Sequence, residues 1–251
     1  MKNYGVQLYS VRDAVRELGM RQTLCRVAEL GYKSVEFAGF GDATARDVRV
    51  WLDELGLAVD GAHLSLKALT ENFDKTLADL QVIGCTRAIV PAAKVANEEH
   101  LLALVNGLNA ARASFVPYGI DVGYHNHAVE YLPNEDGIIP MQRILDDTDV
   151  FIELDTYWAY HAKVDPVAEM ERLGERLALI HVKDGDPSLA GECGKPLGLG
   201  TTPVAAVYQK ALALGLPMVV ESETLTPSGL DEIDVCIKYL KSLEQSERNQ
   251  L

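Results

Sequence analysis

Four short apolar runs in the second half of the chain each end in side chains that can hold a metal or a proton: VGYHNH (Val122–His127), FIELD (Phe151–Asp155), LIHVKD (Leu179–Asp184) and VVESE (Val219–Glu223). An apolar run of this length reads as a buried strand, and the polar residues that close it then lie along one edge of the sheet. From His125 to Asp155, His181 and Glu221 the steps are 30, 26 and 40 residues. Each is about one strand-plus-helix unit of a parallel α/β chain, so neighbouring strand tips converge. Two imidazoles and two carboxylates brought to one place suit a divalent cation better than a core that leaves them unpaired.

The same alternation runs through the whole chain. Strand-like runs rich in Val, Ile and aromatics fall at Tyr4–Tyr9, Ser34–Phe37, Ala58–His63, Ala88–Pro91, Asp121–His125, Phe151–Asp155, Leu179–Val182 and Met218–Glu221. Helical stripes lie between them, as at Thr44–Leu55 (Val48, Trp51, Leu52, Leu55) and Leu230–Leu243 (Ile233, Ile237, Leu240, Leu243). Four helices are expected to end on Gly31, Gly56, Gly84 and Gly215, where glycine accepts the left-handed turn before the next strand. Eight such units in 251 residues predict one α/β domain over residues 1–251, a (β/α)8 TIM barrel, with an open doubly wound sheet as the alternative. The polar stretch Glu244–Leu251 reads as a frayed tail.

Composition narrows the partners. With 37 acidic against 23 basic residues and a net charge of −14, the chain repels a phosphate backbone, so nucleic acid is excluded. Cys25, Cys85, Cys193 and Cys236 are scattered without CxxC spacing and read as reduced thiols that fill structure. MKNYGVQLYSVRD has no charged-then-apolar leader pattern, and no run of about 18 apolar residues occurs. The expectation is a cytoplasmic protein with no membrane partner; homo-oligomerisation is left open.

The segments GVQLYSVRD, ELGYKSVEF, GYHNHAVEY, ELDTYW, IHVKDGD and PLGLGTTPV, followed by VVESE, resemble in that order the sugar phosphate isomerase/epimerase proteins of the xylose-isomerase-like barrel superfamily. The resemblance spans nearly the whole chain. It implies one divalent metal held at the tips of strands five to eight by a Glu, an Asp, a His and a Glu. Asp155, His181 and Glu221 match the last three, and His125 stands where the first Glu is expected. Neutral imidazole remains a good ligand for Mn or Zn, the foremost candidates, and for Co, with Mg also admitted. In the epimerases of that group the first Glu is also one of two carboxylates that exchange protons on opposite faces of the sugar, so a symmetric mechanism does not transfer unchanged. Strand alternation puts His125 and His127 on one face, where one can ligate and the other hold substrate.

Each candidate also has a structural reading. Asp155, followed by Thr156, fits a helix N-cap; His181 fits a hydrogen-bonded core histidine; His125 fits one as well. Further tip residues complete a pocket: Glu36 as a general base, Lys183 as an acid or as the ion-pair partner of Asp155 or Glu153, and Glu221 as a carboxylate with a part in the chemistry. His63, His127, Trp158 and Lys195 are candidates for substrate contact, Tyr157 for the wall, and the loop Gly194–Gly200 offers backbone amides to an anionic or hydroxyl-rich ligand end. The function implied is a metal-dependent isomerase or epimerase of a small-molecule sugar, working through an enediolate-type intermediate. The alternatives are a keto-sugar or keto-glycoside lyase using the same carbanion, and a noncatalytic sugar-binding barrel.

Overall fold

The computed structural model describes residues 2–189 and 194–248. Eight parallel strands close into a barrel: Gly5–Gln7, Ser34–Phe37, Ala58–His63, Arg87–Val90, Asp121–His125, Phe151–Asp155, Leu177–Val182 and Met218–Val220, numbered one to eight below. Each pairs with its neighbours in sequence, and strand eight closes on strand one through Gly5↔Val219. The open sheet considered from sequence is therefore excluded. Strand one is shorter than expected because the backbone turns into a 3-10 helix at Leu8–Val11, capped by the Gln7 side chain, which accepts from the Tyr9 amide.

Local chemistry sets the outer helices. In Ala45–Leu55 a capping box joins Thr44 and Asp47: the Asp47 amide donates to Thr44 Oγ1, and Asp47 Oδ2 accepts from the Thr44 amide. Val48 and Leu52 are fully buried, with Trp51 and Leu55 half-buried beside them, as the stripe requires. The helix stops at Gly56, whose φ of 64° is the left-handed region. The last helix, Gly229–Arg248, buries Ile233, Ile237 and Leu240. It runs through Glu244, which is buried and paired with Arg248, so the expected fraying at residue 244 is not found. Residues 249–251 lie outside the described residues.

Inside the barrel the floor is apolar and the upper layers are polar. Ile89, Phe151, Leu179 and Val219, from strands four, six, seven and eight, form a separate buried cluster. Gly123 of strand five leaves room for the Phe151 ring, since a Cβ there would stand 2.2 Å from its Cε2. Above this floor the inward positions carry Gln7, Glu36, His125, Glu153, Asp155 and His181, all buried, with half-buried His63 beside them. Cys25, Cys85 and Cys236 carry free thiols, and Cys193 lies outside the described residues. Among the described residues no helix is long and apolar enough to cross a membrane.

Candidate metal centre

Strand pairing brings the four expected ligands together. Strands five, six, seven and eight are consecutive in the barrel, with His125↔Glu153 and Asp155↔His181 as Cα partners and Glu221 two residues beyond the His181 partner Val219. Inward alternation then stacks Glu153 below Asp155 and places His125, Asp155, His181 and Glu221 at the rim. One ligand atom from each of these four lies within 4.8 Å of the others.

Among the described residues two groupings of side chains satisfy that distance, the second being His63, His125, Glu153 and His181. Contact lengths separate them, although His181 Nδ1 is also within hydrogen-bond reach of Glu221 Oε2. Ligands of a tetrahedral ion with bonds of about 2.1 Å stand about 3.4 Å apart. His181 Nδ1 lies 3.3 Å from Glu221 Oε2, and His125 Nε2 lies 3.9 Å from Asp155 Oδ2. In the His63 grouping the contacts are those of hydrogen bonds: His63 Nε2 is 2.7 Å and His125 Nδ1 3.0 Å from Glu153 Oε2. The lower carboxylates therefore serve as partners of the imidazoles. Glu153 takes Nδ1 of His125, and Glu36 takes Nε2 of His181 at 2.7 Å. Each ring keeps its other nitrogen, Nε2 of His125 and Nδ1 of His181, facing the Asp155 and Glu221 side. A carboxylate behind each histidine is the arrangement that fixes ring orientation and raises ligand basicity at metal sites.

Asp155 has both roles open to it from sequence. Its Oδ1 accepts from the Trp158 amide at 2.8 Å and caps the helix Thr156–His161, while its Oδ2 is buried without a hydrogen-bond partner. An unsatisfied carboxylate oxygen facing an imidazole nitrogen is the position a cation would satisfy. Asn126, between the two histidines of the HNH run, fixes the Asp155 backbone by accepting from its amide at 2.9 Å.

The charge balance points the same way. Asp155, Glu221 and Glu223 gather around the Lys183 ammonium, and Glu36 and Glu153 stand against the His181 imidazole. Burial pushes the Asp155 carboxyl up to about 7 in spite of Lys183, and burial together with Glu153 pushes Glu36 up to about 7. Burial lowers His125 to about 3, so it is neutral and free to ligate. Burial also works against charge on His181, but Glu153, Glu36 and Glu221 outweigh it and raise that imidazole well above its usual value. Such a nest asks for positive charge, and the four rim atoms fit a divalent ion.

Lys183 is buried and donates to Glu221 Oε2 at 3.0 Å and to Glu223, with Asp155 Oδ2 at 3.7 Å. Its pairing with Glu153 is not found, because strand alternation leaves Glu153 one layer below. Glu36 does not match the base expected from sequence: it is fully buried, accepts from Gln7 Nε2 at 2.6 Å and from His181, and is not among the residues lining the cavities around the centre. The Gly194–Gly200 loop also departs from expectation. The amides of Gly198, Gly200 and Thr202 donate to the buried carboxylate of Asp184, leaving none of these three for a ligand. Lys195 is exposed and pairs in register with Asp184, outside the residues that line the cavities, although Gly194 lines one.

The cavity above the centre, about 470 Å³, is lined by Tyr9, His63, His125, His127, Glu221 and Glu223 among others. His63 and His127 line this cavity, and Trp158 and Tyr157 line a neighbouring one. Glu223, Tyr9 and Arg12 were not singled out from sequence. For Glu223 the clue was the alternation of VVESE, which turns Glu221 and Glu223 the same way.

The family model described as "Xylose isomerase-like TIM barrel" matches residues 24–243. A curated relative, inosose dehydratase of Geobacillus kaustophilus (strain HTA426), is 26% identical over 203 residues, covering 69% of this chain and 66% of that protein. The chain therefore spans just under two thirds of that relative's length. Two solved structures from Parabacteroides distasonis ATCC 8503, each described as a sugar phosphate isomerase/epimerase, superpose with TM-scores of 0.81 and 0.83. Their identities are 25% and 22%, and the superpositions cover 95% of this chain in both cases and 93% and 97% of those chains. Since the family match takes in seven of the eight barrel strands and all four rim residues, the chain belongs to the xylose isomerase-like TIM barrel family.

Proposed function

We propose that the protein is a metal-dependent enzyme that moves a proton at a carbon next to a sugar carbonyl, as an isomerase or epimerase. The observation that carries this is the orphaned Oδ2 of Asp155 among His125 Nε2, His181 Nδ1 and Glu221 Oε2, with a carboxylate behind each imidazole. A divalent ion held by these four residues would draw electron density from a carbonyl and its neighbouring hydroxyl, making the adjacent C–H acidic enough for a carboxylate to deprotonate.

The remaining work falls to the chain. Glu223 lines the cavity and is about 29% exposed at its side chain, so it meets substrate where Glu36 cannot, and its carboxylate can take the proton. Lys183 holds a proton at Nζ beside Glu221 and Glu223; burial disfavours that charge, but Glu221, Asp155 and Glu223 outweigh burial and keep it protonated. It can steady negative charge on the substrate oxygen or return a proton. His127 forms part of the cavity wall, and Trp158 lines the recess beside it.

A second reading, elimination of a group β to the same carbanion, is favoured by one feature: the rim has a histidine at His125 where a second proton-exchanging carboxylate would be needed for a symmetric epimerisation. An acid, Lys183, and a base, Glu223, on one side of the pocket suit a lyase, and the dehydratase relative is in keeping with it.

Glu221→Gln tests the scheme, since it keeps side-chain size and one coordinating oxygen. The protein loaded with Mn or Zn is expected to wash deuterium from deuterated water into its keto-sugar, and the variant to do so at least about tenfold more slowly per bound metal. Nuclear magnetic resonance of substrate and product reads the label alongside turnover. Turnover without exchange would contradict proton abstraction, and exchange per metal equal to wild type would remove the Glu221 carboxylate from the chemistry.

A further inference from the structure

We infer that the recess beside the metal centre seats an apolar substituent of an uncharged sugar, so that the substrate is a glycoside-like keto-sugar and carries no phosphate. This rests on the proposed function and deepens it. The recess has a volume of about 640 Å³, and its walls include Ala92, Ala128, Val129, Leu132, Trp158 and Ala162. It shares Ala92 and His127 with the cavity that holds His125, Glu221 and Glu223, so one molecule can occupy both. The His127 ring forms the partition, 5.2 Å from the ring of His125 and 5.5 Å from that of Trp158. Val129 and Leu132 are 53% and 46% exposed there, an apolar surface that a ring or alkyl group would cover.

Phosphate finds no comparable seat among the described residues. Lys183 is engaged by three carboxylates. The Arg12 guanidinium lies over the Tyr9 ring and donates to the carbonyls of Tyr9 at 2.8 Å and Glu223 at 2.9 Å. Three amides of the glycine loop are used by Asp184. Lys163 is the lining cation left over among the described residues, and it stands exposed on the rim of the recess. Glu221 and Glu223 in the cavity wall would repel a dianion.

The test uses the full chain loaded with Mn and isothermal titration. The probes are matched methyl and phenyl glycosides of D-glucose, D-galactose, D-mannose and D-xylose, and the 6-phosphates of the three hexoses. In at least one pair the phenyl glycoside is expected to bind about tenfold tighter, a fraction of what full burial of a phenyl ring is worth, with the phosphates weakest. Ala162→Trp, which fills the recess, and Val129→Asp, which charges an exposed wall, should each bring the phenyl-to-methyl ratio to within about twofold of one; circular dichroism verifies folding. Three results would overturn the assignment: a phosphate that binds tighter than any phenyl glycoside, equal affinities within every pair, or a phenyl preference that survives both substitutions. Failure of the Mn-loaded protein to bind any sugar would count against the proposed function itself. Methyl glycosides that bind with no phenyl gain count against the recess alone.

Discussion

Asp155→Ala is expected to strip the protein of its metal, with affinity for Mn or Zn falling by more than about a hundredfold. Loss of an outer partner alone costs 10- to 100-fold at such sites, and Asp155 supplies a ligand atom directly. The same residue caps the helix Thr156–His161 through Oδ1, so the alanine also costs about 1 kcal/mol of stability. Asp155→Asn separates the two effects. Asparagine caps a helix as well as aspartate does, so its unfolding midpoint should stay near wild type, while the missing charge still lowers metal content. Elemental analysis after dialysis reads one effect and urea unfolding of the metal-free proteins reads the other. Full metal retention in both variants would show that Asp155 is a cap and nothing more.

Glu153→Ala is expected to be the most destabilising single change at the centre. One carboxylate takes His63 at 2.7 Å and His125 at 3.0 Å, with His181 Nε2 3.2 Å away, all of them without or nearly without contact with water. Burial alone would raise the Glu153 carboxyl, but His181, His63 and the hydrogen bond from His125 outweigh it and hold the group well below the usual carboxylate range. Removing it leaves His125 Nδ1 without its acceptor and the charged His181 imidazole with less compensation, Glu36 remaining for His63 and His181. The loss is expected to be about 3–5 kcal/mol, the range for breaking a buried pair from one side. Glu153→Gln should fold better and still bind metal about 10- to 100-fold more weakly, because a side-chain amide orients the His125 ring less firmly. A near wild-type urea midpoint for the alanine variant would mean that Glu153 does not hold the histidines.

Direction along the strands was legible in the sequence, and depth was not. Val, Ile and aromatic runs placed all eight strands, and period-two alternation turned His125, Asp155, His181 and Glu221 to one end of the barrel, where the structure brings them together. The same alternation makes Glu36 and Glu153 inward-facing too, and a letter code does not tell a rim carboxylate from one a layer lower. That step decides whether the group meets substrate or holds a histidine. Glu36 has the sequence position of a base at a strand tip, yet it lies under His181. The glycine loop misled for a related reason: its amides were available in principle, but Asp184, at the start of the loop, reaches them first. Lys195 followed that loop to the surface. Helix ends set by the left-handed glycines, such as Gly56, were readable; the end of the last helix, which runs on through buried Glu244, was not.

X-ray absorption at the metal edge of the Zn- or Mn-loaded protein tests the central claim most directly, because the two possible groupings differ in their count of imidazoles. The rim site of His125, Asp155, His181 and Glu221 predicts one ion with two imidazole nitrogens and carboxylate oxygens at about 2.0–2.2 Å. His63→Ala should leave that spectrum unchanged. Three imidazoles reduced to two by His63→Ala would place the ion one layer lower against Glu153, and no uptake of any divalent ion would contradict the metal centre altogether.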